Sequence, residues 1–293
     1  MKLWCHVTNT PMNQLLEFTR ILDDLGFDGV ALAHHLVDLE AAGAEHPYRK
    51  DDEDKWWDSS GASDPATPDP WVTATAIANV TNNIVIASSI LVLPLQDPFS
   101  VAKAVSTAAH FSRGRLVMGA GVGWMRDEYE LVGADFKTRG ARMNEMLEVI
   151  RLLLTGDVVD YDGDFFKFSG VRLAPPYDTA VPIYLGGESP RALRRAARYD
   201  GWFAAGPYDA PTALERCRAM RAARAEVDTL DRPFECIVPL VDVPTKGEWE
   251  GMAEAGATGA MFVPARRSDL RIRTIDDRRA YAERIVSLAQ ECR

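Results

Sequence analysis

Short apolar segments rich in β-forming residues alternate with longer helical patterns along most of the chain. Residues 3–7 predict a first strand, and residues 12–25 predict a helix because their apolar side chains recur at the spacing of one helix face. Gly26 follows, as is typical of a helix C-terminus. Seven further segments predict strands, at residues 29–33, 84–93, 116–119, 182–185, 202–204, 236–241 and 260–263.

Eight strands with helices between them in 293 residues predict an α/β fold of the (β/α)8 TIM-barrel type. An open doubly wound sheet alternates in the same way, but it seldom contains eight strands without a linker. The sequence shows neither a linker nor an internal repeat of roughly 20–50 residues. It therefore predicts a single domain over residues 1–293.

Two segments interrupt the alternation. Residues 38–70 are polar and rich in Pro, Gly, Ser and Asp, yet they contain Tyr48, Trp56 and Trp57. Loops of this length are usually lids or disordered segments, and the aromatic residues favour an ordered lid. Residues 158–168 predict a β-hairpin that turns around Asp162 and Gly163, before the fifth strand.

Composition narrows the possible partners and the compartment. The net charge is −10, with 43 Asp and Glu residues against 33 Lys and Arg residues, which argues against nucleic acid and anionic membrane surfaces as partners. The four cysteines are scattered without zinc spacing and indicate reduced thiols. No signal peptide and no apolar segment of about 18 residues is present, so we expect a cytoplasmic protein.

The active site of such a barrel lies at the carboxyl ends of its strands. The second strand delivers His34 and His35 there, and the third contains Ser88 and Ser89 within an apolar segment. No metal-binding spacing accompanies the histidines, so we expect no metal site. A polar cofactor contact or general acid–base catalysis is the favoured role for at least one of them.

Glycines follow the fourth strand at every second position, at Gly119, Gly121 and Gly123. They remove side chains from one side of the strand end, so a flat ligand can approach the backbone there. Close packing of a neighbouring element explains the same pattern equally well. The spacing lacks the third glycine of the dinucleotide-binding fingerprint, which argues against a Rossmann site.

The loop after the fifth strand combines features of an anion site. Gly186 and Gly187 precede Ser189 at a helix N-cap position. The exposed amides of such a helix start bind phosphate. Four arginines follow on one face of the helix, at positions 191, 194, 195 and 198. The alternative is an ordinary capped helix with a solvated basic face.

Taken together, these segments resemble the bacterial luciferase-like monooxygenase family, and most closely its branch dependent on the deazaflavin coenzyme F420. The similar stretches are LGFDGVALAHHLV, the long segment from SILVLPLQDPF to IRLLLTG, DFFKFSGVRLAPP and VPIYLGGESPRALRRAARYDGWF. His46–Pro–Tyr48 inside the insertion is similar to a motif of that branch.

The resemblance implies a barrel that holds a reduced flavin or deazaflavin at its mouth. It implies that His35 is a catalytic general acid/base, that His34 stands where many relatives have Asp or Glu, and that a non-prolyl cis peptide falls at Ser88 and Ser89. The implied cofactor-binding residues are His34, Ser88, Ser89, Gly121, Val122, Gly123, Trp124, Gly186, Gly187, Glu188 and Ser189, the last four around the phosphate.

The resemblance favours an F420-dependent oxidoreductase that transfers a hydride between the deazaflavin and a small organic substrate. The alternatives are a monooxygenase that uses reduced FMN and oxygen, and a flavin-binding protein without turnover. The four arginines favour the deazaflavin, whose tail carries extra carboxylates. Trp124 stands where some relatives have an acid, which argues against their sugar-phosphate chemistry. The strand-end side chains are mostly apolar or aromatic, which favours an apolar carbonyl or alkene as substrate. A homodimer is common in such families.

Overall fold

The computed structural model describes residues 1–8, 10–37, 67–264 and 272–292. The predicted lid, with Tyr48, Trp56, Trp57 and the motif at His46, falls almost wholly outside the described residues. Its last residues are described, and Asp69 caps a helix there through its carboxylate, which accepts hydrogen bonds from the backbone N–H groups of Trp71 and Val72.

The strands follow the predicted order. They are β1 (Lys2–His6), β2 (Gly29–Leu32), β3 (Val85–Ser88), β4 (Leu91–Val92), β5 (Leu116–Gly121), β6 (Val159–Asp162), β7 (Lys167–Val171), β8 (Ile183–Gly186), β9 (Gly201–Phe203), β10 (Glu235–Leu240) and β11 (Gly259–Phe262).

The helices connect successive strands on the outside. They are α1 (Met12–Asp24), α2 (Pro70–Val80), α3 (Pro98–Ser112), α4 (Arg126–Leu131), α5 (Arg139–Leu154), α6 (Pro190–Ala196), α7 (Ala210–Glu226), α8 (Lys246–Glu254) and α9 (Ile275–Glu291). No described helix has the length and apolar character needed to cross a membrane.

Eight parallel strands close into a ring. The order is β3, β2, β1, β11, β10, β9, β8 and β5, and pairing of β3 with β5 completes the circle. This ring confirms the predicted (β/α)8 barrel. Large side chains fill its interior, among them Trp4, Tyr184, Phe203 and Met261. Open space inside the barrel is therefore left at the carboxyl ends of the strands.

The predicted third strand is not continuous. β3 ends at Ser88, the peptide bond between Ser89 and Ile90 is cis, and β4 begins at Leu91. Along β5, Ile86 pairs with Leu116 but Leu91 pairs with Ala120, so the pairing register shifts by one residue across the break. The cis bond lies one position after the serine pair at which the resemblance placed it.

The predicted hairpin is present as β6 and β7, which pair antiparallel. Its turn spans residues 163–166 and is longer than predicted. The reason is a side chain distant in sequence: the Glu145 carboxylate accepts hydrogen bonds from the backbone N–H groups of Asp164, Phe165 and Phe166 at 2.9–3.2 Å.

Candidate functional site

An open cavity of about 1120 Å³, including the space at its mouth, lies at the carboxyl ends of the barrel strands. Each of the eight barrel strands, or the loop that follows it, contributes to the wall. The contributing residues include His6, Ala33, Ser89, Gly121, Gly186, Phe203, Pro239 and Met261. Among the described residues of this wall there is no lysine and no arginine.

The cavity brings together most of the residues singled out from sequence. His34, His35, Ser89, Gly121, Val122, Gly123, Trp124, Gly186 and Gly187 all line it. Ser88, Glu188 and Ser189 are absent from its wall and make other contacts. No cluster of three or more His, Cys, Asp or Glu side chains suited to a metal ion occurs in the described part of the chain.

His35 is held by a carboxylate from helix α4. Its Nδ1 lies 3.3 Å from Oε2 of Glu128, and the rings of His35 and Trp124 meet edge to face with centroids 6.0 Å apart. The other oxygen of Glu128, Oε1, accepts a hydrogen bond of 2.6 Å from the backbone N–H of Leu36. One side chain thus ties both His35 and its neighbour to the first turn of α4.

Glu128 is almost completely buried, at 1% exposure, yet it favours its ionised form. Burial alone would raise the pKa of this carboxyl. The hydrogen bond and charge of His35 and the hydrogen bond from the Leu36 amide outweigh burial, so the pKa of Glu128 lies below its usual value. The site therefore contains a buried carboxylate beside a histidine.

His34 also lines the cavity, although adjacent residues of a strand point to opposite faces. The alternation does not apply because β2 ends at Leu32, before both histidines. The backbone N–H of Val92 points to Nδ1 of His34 at 3.4 Å. Burial lowers the pKa of His34, so its neutral form is favoured.

Ile90 explains two of the glycines. A Cβ built on Gly121 would lie 2.7 Å from Ile90 Cδ1, and one on Gly186 would lie 2.9 Å from Ile90 Cγ2. The Ile90 side chain thus occupies the space that the glycines of β5 and β8 leave open, and it also lines the cavity. Close packing accounts for Gly121 and Gly186, while a ligand in the cavity would contact Ile90.

Ser88 and Gly119 form a tight contact between β3 and β5. The Ser88 hydroxyl donates to the carbonyl of Gly119 at 2.8 Å and accepts from its N–H at 3.0 Å. A Cβ on Gly119 would collide with the Ser88 carbonyl oxygen at 1.8 Å. Ser88 therefore stabilises the barrel below the cavity.

Glu188 fastens two of the loops at the mouth to each other. Its Oε1 accepts hydrogen bonds from the Ala205 backbone N–H, at 3.0 Å, and from the Tyr208 hydroxyl. Its Oε2 lies 3.5 Å from Nε of Arg216. The carboxylate thus holds in place the loop at residues 204–207, which forms one wall of the cavity.

The turn before α6 has the predicted local structure. Ser189 caps α6 by accepting a hydrogen bond from the Ala192 N–H at 3.2 Å. Gly187 has φ +106°, a conformation that glycine adopts readily, and its carbonyl accepts a hydrogen bond of 2.9 Å from the Trp202 indole.

The four arginines of the α6 segment do not line the cavity in the described structure. Arg194 lies 3.8 Å from a Glu226 oxygen, and Arg195 donates to Asn144 Oδ1 at 2.6 Å. Arg191 and Arg198 are exposed.

Several wall residues are not predictable from the sequence alone. Glu128 lies in the first turn of α4, a common place for an acid with no further role. His6 is the last residue of β1, and its position at a strand end was an available signal. Phe203 and residues 204–207 carry no polar pattern that could have marked them.

The sequence model of the family described as luciferase-like monooxygenase matches residues 2–241. An uncharacterised protein of Mycobacterium tuberculosis (strain ATCC 25618 / H37Rv) is 31% identical over 230 residues, covering 77% of this chain and 78% of the relative. The F420-dependent glucose-6-phosphate dehydrogenase of the same strain is 28% identical over 175 residues, covering 58% of this chain and 52% of that enzyme.

Two solved structures share the fold. An F420-dependent secondary alcohol dehydrogenase in complex with an F420–acetone adduct has a TM-score of 0.73 at 16% identity, covering 100% of this chain and 99% of that one. The oxygenating constituent of 3,6-diketocamphane monooxygenase from Pseudomonas putida, in complex with FMN, has a TM-score of 0.60 at 16% identity, covering 82% and 66%. Since the family match spans residues 2–241, the chain belongs to the luciferase-like monooxygenase family.

Proposed function

We propose that this protein is a coenzyme F420-dependent oxidoreductase that transfers a hydride between the deazaflavin and a small organic substrate. The observation that carries the proposal is His35, held by a buried carboxylate, at the wall of a large and mostly apolar cavity. Support for the cofactor comes from the similarity to an F420-dependent dehydrogenase.

The cavity fits a flat, ring-shaped cofactor. Apolar side chains such as Ile90, Val92 and Phe203 form much of its wall, as is usual in sites for flat organic ligands. Gly186 and Gly187 expose backbone at one end of the wall, next to the start of α6. We assign a cofactor phosphate to this turn, with Ser189 preserving its shape.

We assign roles to the remaining site residues from the contacts that their side chains make. When bound, the deazaflavin supplies the hydride chemistry. His35 exchanges a proton with the substrate, while His34, Ser89 and residues 121–124 line the binding surface. Ser88 and Glu188 act indirectly, because their side chains hold β5 and the loop at residues 204–207.

The class of substrate is inferred from the charge of the side chains that line the cavity. Its described residues include no lysine or arginine that could neutralise a phosphate, and Trp124 presents an indole beside His35. We propose a small uncharged carbonyl compound or alkene. A catalytic role for His35 is also the reason to prefer an enzyme over a flavin-binding protein without turnover.

An FMN-dependent monooxygenase is the second candidate. The observation that favours it is the engagement of Arg194 by Glu226 and of Arg195 by Asn144, which leaves fewer arginines for the acidic tail of F420. The exposed Arg191 and Arg198 are then the residues that distinguish the two cofactors.

Titration of the purified protein with F420 and with FMN, followed by fluorescence, tests the proposal. We expect tighter binding of F420, weakened by added salt because the contacts of its tail are exposed. Arg191→Glu combined with Arg198→Glu should weaken F420 binding and spare FMN. Arg20→Glu is the matched control, since α1 and α6 lie on opposite sides of the barrel. Equal or tighter binding of FMN would favour the monooxygenase.

A further inference from the structure

We propose that Glu128 is a positioning residue that keeps the ring proton of His35 on Nδ1 and so leaves Nε2 to exchange a proton with the substrate. The part played in catalysis rests on the proposed function. Which ring nitrogen of His35 carries the proton is a property of the protein itself, so it can be measured without any cofactor.

The first argument is geometric. Glu128 comes from α4, after β5, and reaches the loop after β2, so its two contacts join segments more than 90 residues apart in sequence. Oε1 is committed to the Leu36 amide at 2.6 Å, which fixes the plane of the carboxylate. Oε2 then faces Nδ1 of His35 at 3.3 Å.

The second argument is the chemistry of the pair. An ionised carboxylate can only accept hydrogen bonds, and a neutral imidazole carries one donor and one acceptor nitrogen. Nδ1 beside Oε2 must therefore be the donor, and Nε2 becomes the acceptor. The 3.3 Å separation is long for such a bond, and bonds of this kind commonly shorten when a ligand binds.

The third argument is that α4 itself is fixed. Tyr129, next to Glu128, is buried and donates its hydroxyl to the carbonyl of Val122 in the cavity wall. Its ring packs edge to face on Phe136, with centroids 5.2 Å apart. These contacts hold the turn that presents Glu128, and the rings of Trp124 and His35 meet edge to face beside it.

Nitrogen NMR of the cofactor-free protein tests the proposal directly. At a pH at which the ring is neutral, we expect His35 as the Nδ1–H tautomer. Its signals are those absent from a His35→Asn variant, and the sequence contains only five histidines. In Glu128→Gln the amide oxygen can still accept from Leu36, while the NH₂ group donates to Nδ1. The tautomer should therefore change to Nε2–H.

Glu128→Asp retains the negative charge, so His35 should keep the Nδ1–H form in this variant. Glu128→Asp also serves as the test if Glu128→Gln does not fold. Glu130→Gln on the exposed face of the same helix is the matched control and should leave the spectrum unchanged. An Nε2–H ring in the wild type, or an unchanged tautomer in Glu128→Gln, would overturn the role of Glu128. Absence of F420 binding by the wild type would instead overturn the proposed function.

Discussion

The side chain of His35 combines access to the cavity with a fixed orientation. About a quarter of it, 26%, is exposed, while its carboxylate partner is buried. His34 is more enclosed and accepts from the amide of Val92, so it belongs to the wall. The two adjacent histidines therefore have different surroundings, and we expect different consequences when each is removed.

His35→Ala should lower turnover by roughly 10²–10⁴-fold, the usual effect of losing a positioned proton-transfer group, and should leave F420 affinity nearly unchanged. His34→Ala should instead weaken F420 binding with a smaller effect on turnover, because Val92 loses its partner at the wall. Oxidation of reduced F420 with a panel of small ketones and enones measures turnover, and fluorescence titration measures affinity. Unchanged turnover in both variants would mean that the proton comes from water or the substrate.

At the residue scale, sequence could predict which positions meet at the cavity but not every contact they make. His34, His35 and the glycines were predictable because the carboxyl ends of parallel barrel strands share one face. Glu128 was not, because its partner lies 93 residues away along the chain. Glu188 was expected at a phosphate, and its carboxylate contacts Ala205 and Tyr208. Its role toward a cofactor stays a prediction.

Among the elements, the segment from β3 to β4 contributes Ser89, Ile90 and Val92 to the cavity wall. Sequence predicted one strand over residues 84–93, since the segment is apolar apart from Ser88 and Ser89 and hydrophobic periodicity does not detect a cis peptide bond. The buried strands elsewhere were predictable to within two residues at each end because apolar segments define them. The break directs Ile90 between Gly121 and Gly186.

Gly121→Ala should destabilise the protein by about 1–3 kcal/mol, because the added methyl group would overpack against Ile90 Cδ1. Ile90→Val removes that carbon, so the double variant should regain part of the loss. Urea unfolding of the four proteins in the cycle measures the coupling. Strict additivity of the two changes would contradict the contact.

At the scale of the whole molecule, the cavity exists only because the barrel ring closes. His6 lies at the cavity end of β1, one of the strands of that ring. It ends β1, lines the cavity and is buried. Burial lowers the pKa of His6 to about 4, against an opposing contribution from a hydrogen bond with the Ser89 backbone. Folding therefore favours the neutral ring.

The protein should lose roughly 3 kcal/mol of stability through His6 as the pH falls from about 6.5 to about 4. The sign follows from proton uptake: in this range the unfolded chain binds the proton and the folded chain does not. Urea unfolding at about pH 7 and about pH 4.5, compared with His6→Gln, isolates this contribution, because the variant lacks the titrating ring. Equal losses of stability in the two proteins would refute it.

The pairing of β1 with β11 has a consequence for biosynthesis. Lys2 pairs with Gly259, and Met261 and Val263 belong to the cavity wall, so the ring cannot close until these late residues have been made. At about 5–20 residues per second, a ribosome needs tens of seconds to reach them after β1 has been synthesised. During that interval β1 lacks its neighbour β11, and the cavity lacks the part of its wall that Met261 and Val263 form. Capture of a cofactor must therefore follow translation of β11, and the unpaired edge of β1 is the surface that a chaperone would have to shield in the meantime.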